Sequence, residues 1–174
     1  AEFIAAVVSN QGGYYSAFAY LSEGRRMGLA ILPPDINASV WAYSGSGTTV
    51  RVGLMQIKGL QEDLIKHLIA ERETNGPYQS LSDFLCRIKL DYTQAKLLIK
   101  AGCFDSIAGE LTRPALLWRV FASQATKPPS FIPIPTEYSA QKRLHHELTL
   151  FGFPLHCHPL DLFKEALAAT PHIF

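Results

Sequence analysis

Apolar residues recur at helical spacing through most of the chain, with short breaks marked by Gly, Pro and Asn. Phe3, Ile4, Val7 and Val8 predict an opening helix that is already under way at the first residue and stops near Gly12-Gly13. Its start without an N-cap residue suggests a piece of a longer protein. A second helix is expected over 14–27, ending at Gly28, with Phe18, Leu21 and Met27 inward and Glu23, Arg25 and Arg26 at or near the surface. The prolines of Ile31-Leu-Pro-Pro-Asp-Ile-Asn37 forbid a helix interior and predict an extended, edge-like crossing. Val40–Tyr43 and Thr49–Val52 are β-prone and flank Ser-Gly-Ser-Gly-Thr at 44–48, a pattern that predicts a β-hairpin.

Downstream the pattern is helical again. Val52 to Lys66 reads as a short apolar helix, a tight turn at Lys58-Gly59 and an amphipathic helix with Leu64, Ile65, Leu68 and Ile69 on one stripe. Asn75-Gly76-Pro77 breaks it. Ser80 to Asp83 and Asp91 to Gln94 resemble capping boxes ahead of further helices. Thr112-Arg113-Pro114 starts a helix reaching Gln124. Residues 127–135 hold four prolines and read as a semi-extended linker. A helix over 139–151 halts at Gly152, and a short last one is expected over 161–169. The fold class is therefore mainly α with a small β-hairpin.

The turn at Lys58-Gly59 and a related arrangement at Leu97 to Phe104 look like two helix-hairpin-helix elements. A turn without side chains lets backbone N–H groups approach a phosphate, and the next helix adds the positive end of its dipole. Lys58, Gly59, Leu60 and Gln61 form one candidate DNA-backbone site, and Lys100, Ala101, Gly102 and Cys103 a second. Such contacts position a protein without reading sequence. The first element has Gln61 where a second glycine is usual, and the second has one glycine. Pattern alone leaves both DNA binding and ordinary packing corners open.

Composition does not decide between them. The 174 residues are 48% hydrophobic and 18% charged, which is a globular composition, and the net charge is only +1. Residues 51–100 hold eight basic and six acidic side chains. A DNA contact would thus be local or shared with a partner region. Cys86, Cys103 and Cys157 are far apart and odd in number, which argues against a disulfide framework and favours a reducing cytoplasm. No apolar run reaches the roughly 18 residues that span a bilayer, so no membrane is expected. His145-His146 and His156-Cys157-His158 invite a metal site, but neighbouring ligands on an extended chain diverge, and a polar turn is the preferred reading. Glu71 and Glu73 straddle a helix end, and no phosphate-cradling Gly-x-x-x-x-Gly-Lys loop is present, so no catalytic residues are assigned.

Several blocks together carry a resemblance: Ala-Glu-Phe-Ile-Ala-Ala at 1–6, Glu23-Gly-Arg-Arg-Met-Gly-Leu29, Ile31 to Asn37, Gly53-Leu-Met-Gln-Ile-Lys-Gly59, Leu98-Ile-Lys-Ala-Gly-Cys-Phe-Asp105, and Leu150-Phe-Gly-Phe-Pro-Leu-His-Cys-His-Pro-Leu160. In order and spacing, along almost the whole chain, they resemble the bacterial DNA polymerase III alpha subunit, a C-family DNA polymerase. The resemblance implies that 1–50 are the end of the fingers domain. It makes 51–110 a tandem helix-hairpin-helix module on duplex DNA, and 111–174 a helical connector toward a following domain. It implies a parent nucleotidyltransferase of DNA replication, replicative or error-prone, whose magnesium-binding palm aspartates lie upstream. The segment itself would then need no cofactor and would not polymerise. Its partners would be duplex DNA and the remaining polymerase domains, with a sliding clamp and other replisome subunits engaged elsewhere. Arg25 and Arg26 would be either contacts to template or nucleotide or, by preference, a solvated helix face. The competing expectation is a structural or protein-interaction module without DNA affinity, using the Pro-rich segment and Phe151, Phe153 and Phe163 as apolar surface.

Overall fold

Ser44-Gly45-Ser46, expected as a turn, is a β-strand. The computed structural model describes residues 1–10, 14–125, 135–157 and 159–164. Its one sheet has three short strands, β1 (Ala30–Leu32), β2 (Ser44–Ser46) and β3 (Thr49–Arg51), in the order β1-β3-β2. β2 and β3 are antiparallel around a turn at Gly47-Thr48, with Gly45 opposite Val50. β1 lies parallel to β3 on the other side, with Ile31 opposite Val50. The expected hairpin is present but its first arm is displaced from 40–43 to 44–46, for two reasons. Helix α1 (Glu2–Ser9) crosses β2 so closely that a Cβ on Gly45 would lie 2.5 Å from the Ala1 carbonyl carbon, so only glycine fits. The carbonyls of Val40 and Trp41 instead accept from the N–H groups of Leu54 and Met55, both at 3.0 Å, and hold the 3-10 turn Leu54–Gln56.

The chain is otherwise mainly helical: α2 (Ala17–Arg26), α3 (Glu62–Asn75), α4 (Leu81–Arg87), α5 (Tyr92–Ala101), α6 (Arg113–Gln124) and α7 (Ala140–Phe151). Ser16, Ser80, Asp91, Thr112 and Ser139 each cap a helix by accepting a backbone N–H from the third residue onward. α5 and α7 end at Gly102 and Gly152 in the left-handed conformation. Two inward faces differ from expectation. Phe3 is exposed, and α1 buries Ile4, Ala5 and Val8. α2 starts later than expected and buries Leu21 and Gly24, which turns Phe18 outward and leaves Met27 as an exposed C-cap. The expected helix stop at Gly12-Gly13, most of the Pro-rich linker and residues 165–169 lie outside the described residues. Pro159–Phe163 forms a 3-10 helix.

The core is continuous from the sheet to the end of α7. At its centre Tyr78, Phe84 and Phe104 pack edge to face, with ring centroids 4.9 and 5.0 Å apart. The Tyr78 hydroxyl donates to the Leu68 carbonyl at 2.8 Å, which satisfies its buried polar end. The segment after β1 is tied to the helices. Asn37 exchanges two 2.8 Å hydrogen bonds with the Tyr78 backbone, and Arg72 donates to the Ile36 and Ser39 carbonyls. No helix of the described residues is long and apolar enough to cross a membrane.

Candidate nucleic-acid interface

The first hairpin consists of the Leu54–Gln56 turn, residues 57–61 and α3. Ile57 is buried and pulls the chain inward, and Gly59, with φ of 84°, reverses it at the surface beside exposed Lys58. A Cβ there would be strained by the backbone conformation, although only Leu97 Cδ1, at 3.5 Å, stands near. Three of the four turn amides are engaged within the protein. Lys58 donates to the Leu150 carbonyl (3.0 Å), Leu60 to the Ile57 carbonyl (3.1 Å), and Gln61 to the side-chain oxygen of Gln94 (2.9 Å). Among the described residues the Gly59 N–H has no partner. α3 also begins at Gln61 without a side-chain cap, unlike α4 to α7, so the amides of its first turn meet no side-chain acceptor.

The second hairpin lies elsewhere than expected. Residues 97–104 are the C-terminal end of α5. Gly102 donates to the Ile99 carbonyl and Cys103 to the Leu98 carbonyl, both at 3.0 Å, closing the helix end. Ala101 and Cys103 are buried. The Arg113 guanidinium covers Gly102 so tightly that a Cβ would meet its Nη2 at 2.3 Å. Of the four residues expected to form that site, Lys100 alone reaches a groove surface; the Gly102 and Cys103 amides are consumed, and a helix C-terminus carries negative partial charge. The unit that repeats the first hairpin is α4, residues 88–91 and α5. Ile88 is buried and Lys89 exposed, as Ile57 and Lys58 are, but the turn is one residue shorter and has no counterpart of Gly59. The recurring Ile-Lys at 57–58 and 88–89, each ahead of a helix, was the sequence signal for it.

Gln94 joins the two hairpins. It stands on α5 where Leu64 stands on α3, is buried, and directs its amide across to the first turn, accepting from Gln61 and donating to the Gly59 carbonyl at 3.1 Å. Asp91, whose side chain accepts from the Gln94 N–H at 2.8 Å, fixes the start of the helix that aims it. The expected reciprocal capping box is therefore only half formed.

The arginines of α2 divide. Arg26 is exposed and paired with Glu23. Arg25 is half-buried and donates to the carbonyls of Pro154 (3.2 Å) and Leu155 (3.0 Å), beyond α7. Burial holds its pKa down, and the nearby Glu147 carboxylate opposes that. Glu147 is buried and accepts from the N–H of Leu155 and from the backbone and ring of His156. Among the described residues no three His, Cys, Asp or Glu side chains are placed to hold a metal ion; His158 lies outside them.

Residues 28–115 match the helix-hairpin-helix motif family, and the chain belongs to that family. It is homologous, more particularly, to DNA polymerase III alpha subunits and error-prone DNA polymerases. It is 32% identical to DNA polymerase III subunit alpha of Treponema pallidum over 96% of this chain, and 27% identical to that of Saccharopolyspora erythraea over 97%. It is 35% identical to the error-prone DNA polymerase of Mycolicibacterium paratuberculosis over 76%. The chain spans only 16%, 17% and 12% of the lengths of those three proteins, respectively.

Proposed function

We propose that this chain is a DNA-holding segment of a C-family DNA polymerase and grips duplex DNA through backbone phosphates without reading sequence. The observation that supports it is the first hairpin: an exposed turn with an unpartnered Gly59 amide and exposed Lys58, leading into a helix with no side-chain cap. Lys89, at the equivalent place in the second hairpin, supplies the companion charge. On this reading residues 1–50 close the fingers, 51–110 hold the duplex and 111–174 lead toward a further domain. Nucleotide transfer, with its magnesium ions, belongs to the rest of the polymerase in the cytoplasm, and this segment acts beside those domains.

The test is fluorescence anisotropy of a labelled random duplex at several salt concentrations. Binding should fall with salt by about 0.9 log units per phosphate neutralised for each tenfold rise in salt. The double variant Lys58→Gln, Lys89→Gln should remain folded and lose about two of those contacts from the slope. Binding that favours one base sequence over scrambled duplexes would refute the reading. A second reading, a protein-docking module, draws on exposed Trp118 and Phe121, which pack edge to face at 5.8 Å beside Tyr92. It expects self-association or partner capture that is lost in Trp118→Ser, with no salt-dependent DNA affinity.

A further inference from the structure

We infer that the groove between α5 and α7 is a phosphate-binding pocket, lined by Lys96, Lys100 and Lys142 together with His146, a buried imidazole whose ring nitrogens both lack a partner among the described residues. The groove has a volume of about 250 Å³, and among the described residues no carboxylate lines it. None of the three lysines forms an ion pair among the described residues. Their charges are felt: burial first, then Lys96 and Lys142, hold the Lys100 pKa below its usual value.

His146 gives the groove its specificity. It is 4% exposed, and the edge-to-face ring of Tyr138 packs on it at 4.8 Å. A neutral imidazole has one donor and one acceptor, and leaving both unmet inside a protein is costly. Burial, and then Lys100, Lys142, His145 and Arg113, depress its pKa to about 4. An oxyanion in the groove reverses both conditions. It accepts from an imidazole N–H, and its charge offsets the lysines that keep the ring neutral. Three lysines drawn from two helices, with the His146 ring buried beside them, suit the several terminal oxygens of a phosphate better than the two of a carboxylate.

The groove adjoins the first hairpin, because Leu150 both lines it and accepts the Lys58 amide. The phosphate can therefore come from a DNA backbone passing the hairpin or from a free pyrophosphate or nucleotide. The pocket does not depend on the duplex-holding reading, and the two fail separately in the experiment.

The whole chain, labelled with 15N-histidine, is titrated by NMR with inorganic pyrophosphate and, in a second arm, with a short random duplex. Pyrophosphate should shift the His146 ring signals and raise its pKa from about 4 toward the ordinary histidine value. Lys100→Gln and Lys142→Gln should each weaken binding about tenfold. His146→Phe, which keeps a ring against Tyr138, should weaken it comparably, with circular dichroism unchanged. A duplex that competes with pyrophosphate identifies the backbone as the source; pyrophosphate binding without competition identifies a free phosphate ligand. His146 signals unmoved by either titrant, or lysine variants that bind like the parent chain, would overturn the pocket. Anisotropy binding of duplex with unmoved His146 signals would overturn it while leaving the hairpin reading standing.

Discussion

The side-chain oxygen of Gln94 accepts the backbone N–H of Gln61 at 2.9 Å, so one hairpin braces the turn of the other while the first-turn amides of α3 stay uncapped. Gln94→Ala should destabilise the protein by about 1–3 kcal/mol, because a buried amide pair is lost and the Gln61 N–H and Gly59 carbonyl must find water. Urea denaturation measures the loss. Hydrogen exchange at the Gln61 amide should quicken more than exchange at Leu98, in the body of α5. Equal change at both would mean that Gln94 contributes only general packing.

Gly102 and Gly109 both have positive φ, but their surroundings differ. A Cβ on Gly109 meets open space, whereas one on Gly102 meets the Arg113 guanidinium. Arg113 cannot simply withdraw, since it donates to both Asp105 carboxylate oxygens and to the Lys100 carbonyl from a nearly closed site. Gly109→Ala should cost about 1–2 kcal/mol from backbone conformation alone. Gly102→Ala should cost a further 1–3 kcal/mol, roughly the penalty of overpacking. Thermal melts of the pair decide it, and equal costs would show that the guanidinium yields freely.

His146 makes stability fall in acid. Its folded pKa of about 4 lies below the unfolded value near 6.5, so between those limits the unfolded chain binds a proton that the folded chain refuses. Stability is therefore lost as pH falls from about 6.5 to 4, by up to about 3 kcal/mol, and this contribution is flat below 4. The groups facing the ring are Lys100, His145, Lys142, Arg113 and Tyr138. His146→Phe should flatten that part of the pH profile, measured by denaturant midpoint at pH 7, 5 and 4 against the parent chain.

Arg25 and Arg26 should part company in mutagenesis. Arg25→Ala leaves the Pro154 and Leu155 carbonyls unmet and removes a cation facing buried Glu147, at a cost of about 1–3 kcal/mol. Arg26→Ala at an exposed pair should leave the melting temperature nearly unchanged. Duplex affinity, compared at matched folded fraction, should hold in Arg25→Ala; a loss there would place this side chain on DNA.

What the sequence disclosed and what it hid follow from the range of the forces involved. The start of α6 at Thr112 and the end of α7 at Gly152 are set by neighbours within one helical turn, and both were readable. So was the first hairpin, which glycine marks. The second is marked only by the repeated Ile-Lys, because its turn has no glycine and owes its shape to burial of Ile88 and capping by Asp91. β2 was hidden for a different reason: Ser44–Ser46 has little intrinsic strand preference and is held by α1 and β3, which are remote in sequence or seen only once folded. Gln94 looked like a local cap partner since it occupies the third position of a helix, yet its partners belong to another element.

The Lys58 amide is anchored to α7 and the Gln61 amide to α5, so the first turn is braced on both sides. The entropy of fixing its shape is incurred once, when the chain folds, and no comparable ordering remains for the moment of association. On the proposed reading, a DNA backbone meeting this turn would find it already shaped. Association should therefore be rapid and enthalpically simple, with little restructuring of the backbone, and the anchoring helices, rather than the turn residues, set how faithfully that shape is kept.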